Sequence, residues 1–233
     1  MKKLIFLLLA VMLLTACGQD KENGQGAVYM NITAAEAKQL MDTEEGYIIL
    51  DVEGDHMQYI SHYQSPIGDI LLAADEIGLT GLWFEGQKYF ALHLDKAHEE
   101  KEAPPIKTAK RWLDIYFLGK EPDFAVPLHF TGTDFQNEVW KILLAIPYGQ
   151  LAAYGEIARQ LAAKRGLTHM SAQAVGGAVG HNEISIIVPC HRVVGSNGSL
   201  TGYAGGMDKK RALLTLEGVD MRKLFSPVKG TAL

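Results

Sequence analysis

Cysteine is scarce in this chain: only Cys17 and Cys190 occur among 233 residues. That excludes a multi-bridge disulfide scaffold, and the two contexts differ too much for even one bridge to be expected. Neither cysteine has the spaced Cys/His neighbours of a zinc site. Long apolar runs are equally scarce. The one at residues 4–14 is too short to span a bilayer comfortably. Positive charge is not in excess, since the formal net charge is −5. Taken over the whole chain, that argues against a polyanionic partner. Its distribution does not: residues 1–136 hold 11 Lys/Arg against 21 Asp/Glu, and residues 137–233 hold 11 against 6, a split of −10 and +5. A nucleic acid would sit on the second part, although an uneven surface explains the charge about as well.

What is present falls into segments. Lys2 and Lys3, the apolar run and Leu14-Thr15-Ala16-Cys17 read as a lipoprotein-type signal over residues 1–17. Residues 18–27 are polar and Gly-rich, as in a tether. Thr33 and Glu36 can cap a short helix, and residues 47–52 read as a buried strand. This stretch resembles the opening of a rhodanese-like domain that stops before any catalytic cysteine. Residues 18–56 are therefore read as a tether and inactive remnant.

A new unit begins near Met57. Residues 58–64, 70–74 and 79–84 read as three short strands separated by turns, which predicts an antiparallel meander. Residues 95–105, charged and ending in Pro104-Pro105, read as a loop. Ala109, Trp112, Leu113, Tyr116 and Phe117 then recur at helical spacing as far as Gly119, as core positions. The second domain starts near Thr133, where Thr133 and Gln136 form a capping box for a helix carrying Phe135, Val139, Ile142 and Leu143. Residues 154–163 predict a second helix, and Ser171 can cap a third built from Gly, Ala and Val. The pair fits a helix-turn-helix. Residues 184–188 are apolar and β-branched, so an extended, buried strand is expected. It leads into Pro189-Cys190-His191-Arg192, a Gly-rich loop and a last helix over 208–217, stopped by Gly218. The expected fold is α+β: a small α/β domain with a short antiparallel sheet (57–130), then a mostly helical, winged-helix-like DNA-binding domain (131–224) and a tail (225–233).

A cysteine attacks only as thiolate, and its free pKa is about 8.5. Something must take the proton. His191 is adjacent and can reach it directly or through one water. A carboxylate would orient that ring; Glu217 is best placed by motif, and other acids also fit by sequence alone. A bare Cys-His pair would more often be structural, but its surroundings carry a specific pattern.

Val188-Pro189-Cys190-His191-Arg192-Val193-Val194 resembles the active-site string of methylated-DNA–protein-cysteine methyltransferases. Residues 174–182, Ala-Val-Gly-Gly-Ala-Val-Gly-His-Asn, match the family's recognition helix and the asparagine after it. Gly202-Tyr203-Ala204-Gly205-Gly206 matches its active-site loop, and residues 213–218 the end of its final helix. The similarity runs from about Met57 to Leu224.

The resemblance implies single-turnover transfer of an alkyl group from O6-alkylguanine, and by extension O4-alkylthymine, in double-stranded DNA to Cys190 after base flipping. It implies no cofactor, no metal, no obligate protein partner and a monomer. His191 would be the base, acting through water, with Glu217 orienting it. Asn182 would hold the turn or bond near the sulfur. Tyr154 would press on a phosphate, help rotate the nucleotide outward and donate a proton to the leaving base. Ser171, Ala172, Gln173, Ala174, Gly177 and Arg192 would meet DNA. Val188, Pro189, Tyr203, Ala204 and Gly205 would line the base pocket. Small residues also suit a helix approaching a minor groove about 6 Å wide, although tight helix packing favours them too. Many family members have arginine where this chain has Gln173, so the vacated stack would be filled with weaker support.

Two other readings stand beside this one: a non-enzymatic sensor of alkylated bases, which Cys190 argues against, and a surface lipoprotein, favoured only by residues 1–17. That signal would send the chain outward, whereas repair requires a cytoplasmic enzyme. The combination reads as a natural fusion or a mis-joined reading frame, with an internal start at Met57 giving the whole enzyme.

Overall fold

The computed structural model describes residues 57–226. The signal at 1–17, the tether and rhodanese-like remnant at 18–56, and residues 227–233 of the tail lie outside the described residues.

The meander is present. β1 (Gln58–Ser65), β2 (Gly68–Ala74) and β3 (Leu79–Phe84) pair antiparallel in sequence order. A fourth strand, β4 (His98–Glu100), pairs parallel with β1, giving the order β3-β2-β1-β4. Residues 95–105 are thus not wholly a loop. Three exposed polar residues form the sheet edge, where the charge of Glu99 and Glu100 discourages pairing with another chain. Side chains alternate across β2. Ile70, Leu72 and Ala74 face the main core, and Leu71 and Ala73 join Trp83 in a second cluster on the other face. Phe90, Ala91 and Leu94, from the segment after β3, cover that second cluster.

The helix α1 (Pro104–Phe117) starts at the two prolines, which were read as loop. Proline suits the first turn because its missing N–H has no intrahelical partner there. Ile106, Ala109, Leu113 and Tyr116 form the buried stripe. α2 (Asp134–Leu143) carries the expected capping box, with Thr133 N–H donating to Gln136 at 2.9 Å. α3 (Tyr154–Lys164) and α4 (Ala172–Gly180) form the helix-turn-helix, and Ser171 caps α4 through the Ala174 N–H. α5 (Met207–Leu216) ends at Glu217 and Gly218. Two residues of β5 (Ala152–Ala153) pair parallel with β6 (Val193–Val194). One continuous apolar core joins the sheet (Ile70, Leu72, Leu82) to the helices (Val139, Trp140, Val175) and to the segment before Cys190 (Ile184, Ile186, Val188).

Candidate active site

Residues 184–188 are buried, as expected, but they do not form an extended strand. Ile184 makes a single bridge to Leu82. The chain then turns back, with Val188 N–H donating to Ile184 O at 3.0 Å and Ile186 at φ +68. The reason is Asn182. Its carbonyl oxygen accepts from Ile184 N–H at 3.1 Å, and its amide nitrogen lies 2.9 Å from Val188 O and 3.0 Å from Cys190 Sγ. Beyond the bonds that Glu183 and Ser185 make to Leu82, one buried amide gathers the backbone of Ile184 and Val188. It thereby folds the backbone into a tight reversal and presents Cys190 at the start of a 3-10 turn (Cys190–Arg192).

Cys190 is free and 3% exposed. Burial pushes its thiol up, more than the Asn182 hydrogen bond and the charge of Lys210 pull it down, so it rests protonated. Among the described residues no hydrogen bond joins its sulfur directly to the His191 ring. The His191 ring is fully buried, and its Nε2 lies 2.7 Å from Glu217 Oε1. Burial pushes His191 below the usual imidazole range despite that carboxylate. The ring is therefore neutral. Its proton sits on Nε2, facing Glu217, and leaves a lone pair on Nδ1. Nδ1 is buried with no hydrogen-bond partner in the protein, which is the state a waiting base requires.

Glu217 is held from every side. Besides His191, it accepts from Tyr116 Oη at 2.7 Å, from Arg192 Nε at 2.8 Å and Nη2 at 3.0 Å, and from Gly149 N–H at 3.1 Å. Burial alone would raise its carboxyl, but the bonds and charges of His191 and Arg192 outweigh that and hold it well below the usual carboxylate range. Gly149 can approach because it has no side chain: a Cβ there would lie 2.7 Å from the Glu217 carbonyl oxygen, at φ +71.

Two expectations change here. Arg192, expected at DNA, is buried and spends its guanidinium on Glu217 and on Ile146 O. A planar fork matches a buried carboxylate, and its burial keeps the side chain away from a surface phosphate. Of the expected pocket residues, Tyr203 and Ala204 line a small cleft together with Cys190, Tyr154 and Val179. Val188, Pro189 and Gly205 do not. Val188 is in the core, Pro189 is buried, and Gly205 sits against Tyr203 and Phe84.

Tyr154 bounds the cleft at its hydroxyl end, donating to Thr201 O at 3.2 Å. Burial, with the charge of Cys190 adding, pushes its phenol up to about 12, so it enters as a neutral donor. On α4, Ala172, Gln173 and Ala174 are exposed, as is the capping Ser171. Gly177 is half-buried with open space where a Cβ would stand. Val175, Ala178 and Val179 face inward. Trp140 pins the helix by donating Nε1–H to Ala178 O at 2.9 Å.

Sequence reasoning missed four contributors. Tyr116 was read only as core, and helical spacing carries no sign that its hydroxyl reaches Glu217. Lys210 is fully buried, and its ammonium donates to Val193 O, Thr201 O and Gly202 O, at 2.6, 2.9 and 3.3 Å. It thereby ties β6 to the pocket loop, and burial pushes it down to about 8. A lysine on a charged helix offers no such hint. Lys88 and Tyr89, from the segment after β3, also line the cleft. Among the described residues no group of three or more His, Cys, Asp or Glu is placed to hold a metal ion.

Comparison with known proteins gives one consistent answer. The family described as 6-O-methylguanine DNA methyltransferase, ribonuclease-like domain, matches residues 58–130, and its DNA binding domain matches residues 134–219. A methylated-DNA–protein-cysteine methyltransferase of Mycobacterium tuberculosis is 47% identical over 159 residues, covering 67% of this chain and 92% of the relative. One from Methanosarcina acetivorans is 46% identical over 161 residues, covering 69% and 98%. Two solved structures superpose with a TM-score of 0.59. The M. tuberculosis O6-methylguanine methyltransferase is 45% identical and covers 69% of this chain and 93% of its own. The M. tuberculosis OGT in complex with DNA is 43% identical and covers 73% and 96%.

Proposed function

The chain belongs to the methylated-DNA–protein-cysteine methyltransferase family, and from that premise we propose that Cys190 is the atom-level acceptor in DNA repair by direct reversal, with His191 as its base. The single observation that carries this is the arrangement around the sulfur: a buried, protonated thiol beside a neutral imidazole whose outer nitrogen is held by a carboxylate and whose inner nitrogen is unused.

The target oxygen of O6-alkylguanine lies within the base pair, so the nucleotide must leave the stack, at a cost of a few kcal/mol. Tyr154 presses on the backbone, and Gln173, exposed on α4, fills the vacated position. Arg192 has no part in this. Once the base is in the cleft, the Cys190 proton passes through one water to His191 Nδ1. The imidazolium is stabilised by the ionised Glu217. The thiolate attacks the alkyl carbon in line: an S–C bond forms and the C–O bond breaks, leaving its electron pair on the guanine oxygen. Tyr154 donates a proton to the departing base and recovers one from His191 through solvent. The thioether is stable, so each chain acts once. O4-alkylthymine fits the same chemistry. The substrate is double-stranded DNA, the working unit a monomer, and the site of action the cytoplasm. Among the described residues no helix is long and apolar enough to cross a membrane.

The test is peptide mass analysis after incubation with an O6-methylguanine duplex. One methyl group on the Cys190 peptide, at most one per chain, is expected. A protein that binds the duplex and stays unmodified would be a sensor of damage and would end this reading.

A further inference from the structure

The segment over residues 85–94 has no part in the chemistry above, yet it reaches the cleft. It follows β3 and is fastened to the rest of the fold at separate points. Phe90, Ala91 and Leu94 pack on Leu71, Ala73 and Trp83, the second face of the sheet. Lys88 N–H donates to Ala204 O at 3.0 Å, which joins the segment to the pocket loop. The Tyr89 ring stacks on His181, at the end of α4, with centroids 4.1 Å apart. His93 Nδ1 lies 2.8 Å from the buried Glu183 carboxylate.

Two residues in the segment, Tyr89 (φ +60) and Ala91 (φ +50), stand in the left-handed region without being glycine. Such residues persist only where the surroundings over-determine them. The segment is therefore a rigid wall. It places the Tyr89 ring and Lys88 on the lining of the same cleft as Cys190, Tyr154 and Tyr203. The cleft is small, and a flipped purine would fill much of it, so an aromatic ring on its wall limits what else can enter.

We propose that Tyr89 is a specificity-determining residue that restricts the size of the alkyl group brought to Cys190. This rests on the reading of Cys190 as acceptor. The wall belongs to the N-terminal part of the chain and the nucleophile to the C-terminal part. Size selection is therefore set by a segment outside the DNA-binding region, and the bond from Lys88 to Ala204 keeps the two in register.

The experiment compares second-order transfer rates to the full chain from duplexes carrying O6-methylguanine or O6-benzylguanine. Tyr89→Gly is the decisive variant, because glycine accepts φ +60 without strain while removing the ring. It should raise the benzyl-to-methyl rate ratio by about tenfold or more. Tyr89→Leu should move the ratio the same way by less, and Tyr89→Phe should keep the wild-type ratio. An unchanged or lower ratio in Tyr89→Gly, including equal slowing of both reactions, would overturn the inference and make the segment a structural brace. Failure of the wild-type chain to take methyl would instead overturn the reading of Cys190.

Discussion

The polar web behind Cys190 and the outer face of α4 lie in the same C-terminal region and are built on opposite plans. In the web, Glu217 accepts from Tyr116, His191, Arg192 and Gly149, and Lys210 is capped by three carbonyls. Every charge is buried and answered. On the outer face of α4 there is little but Ala172, Gln173, Ala174 and the bare backbone at Gly177. The difference teaches where each function keeps its free energy. A reactive group needs a low-dielectric, pre-arranged setting, and there each missing partner leaves an uncompensated charge or dipole. On the proposed reading the outer face of α4 approaches a narrow groove, which needs side chains kept out of the way, and there a substitution costs only a surface contact.

The sharpest separation comes from Cys190→Ala. Transfer should be lost completely while duplex binding persists, because groove and phosphate contacts lie on other residues. Transfer to this variant in a labelled-oligonucleotide assay would remove the web from the chemistry altogether. Next in size is Glu217→Ala, which leaves Arg192 buried without its anion. It should cost about 3–5 kcal/mol in urea unfolding, against less than about 0.5 kcal/mol for Gln173→Ala. Equal costs would erase the contrast between the two regions. The Glu217 contribution has a pH signature. Its carboxyl is held below the ordinary 4.5 in the fold, so the stabilisation is complete above the unfolded value and is lost as pH falls toward the folded one.

Lys210→Met should be milder, at about 1–3 kcal/mol, since it strands carbonyls and not a charge. It should also slow transfer by loosening the loop that carries Tyr203 and Ala204, as read by single-turnover rates beside thermal unfolding. The pH dependence of transfer probes the base. Burial pushes His191 down from 6.5, so the ring stays unprotonated as pH drops through that value. The rate limb assigned to His191 should appear only at lower pH; a midpoint above 6.5 would mean that His191 is not the base. Smallest is the effect of Gln173. Gln173→Arg should tighten duplex binding and steepen its salt dependence by about one counterion. Gln173→Ala should slow transfer more from duplex than from single strand. Equal slowing on both would place Gln173 among the helix-supporting residues.

The starts of α2 and α4 were legible in the sequence because caps are local. Thr133, Gln136 and Ser171 act on N–H groups within three residues, so spacing alone locates them. The meander was legible for a related reason: three short strand-like runs separated by turns allow little else. Cys190, His191 and Glu217 were legible as a set through their motifs, and hydrogen bonds join His191 to Glu217 in the fold. The sequence misled where a long-range side-chain bond replaced a backbone one. Residues 184–188 have strand composition, but Asn182 bonds the backbone at Ile184 and Val188 and helps close them into a turn.

By itself, then, the sequence determined most of the helices and the meander, the side-chain caps and the family, all of which rest on local spacing or contiguous motifs. Tertiary structure alone decided which charges are buried and what answers them. Arg192 faces Glu217 and not DNA, Tyr116 crosses from α1 to the same carboxylate, and Lys210 is sealed beneath the pocket loop. It also decided that residues 85–94 wall the cleft. Burial and pairing depend on which distant segments meet when the core closes, and no local pattern of residue types encodes that meeting.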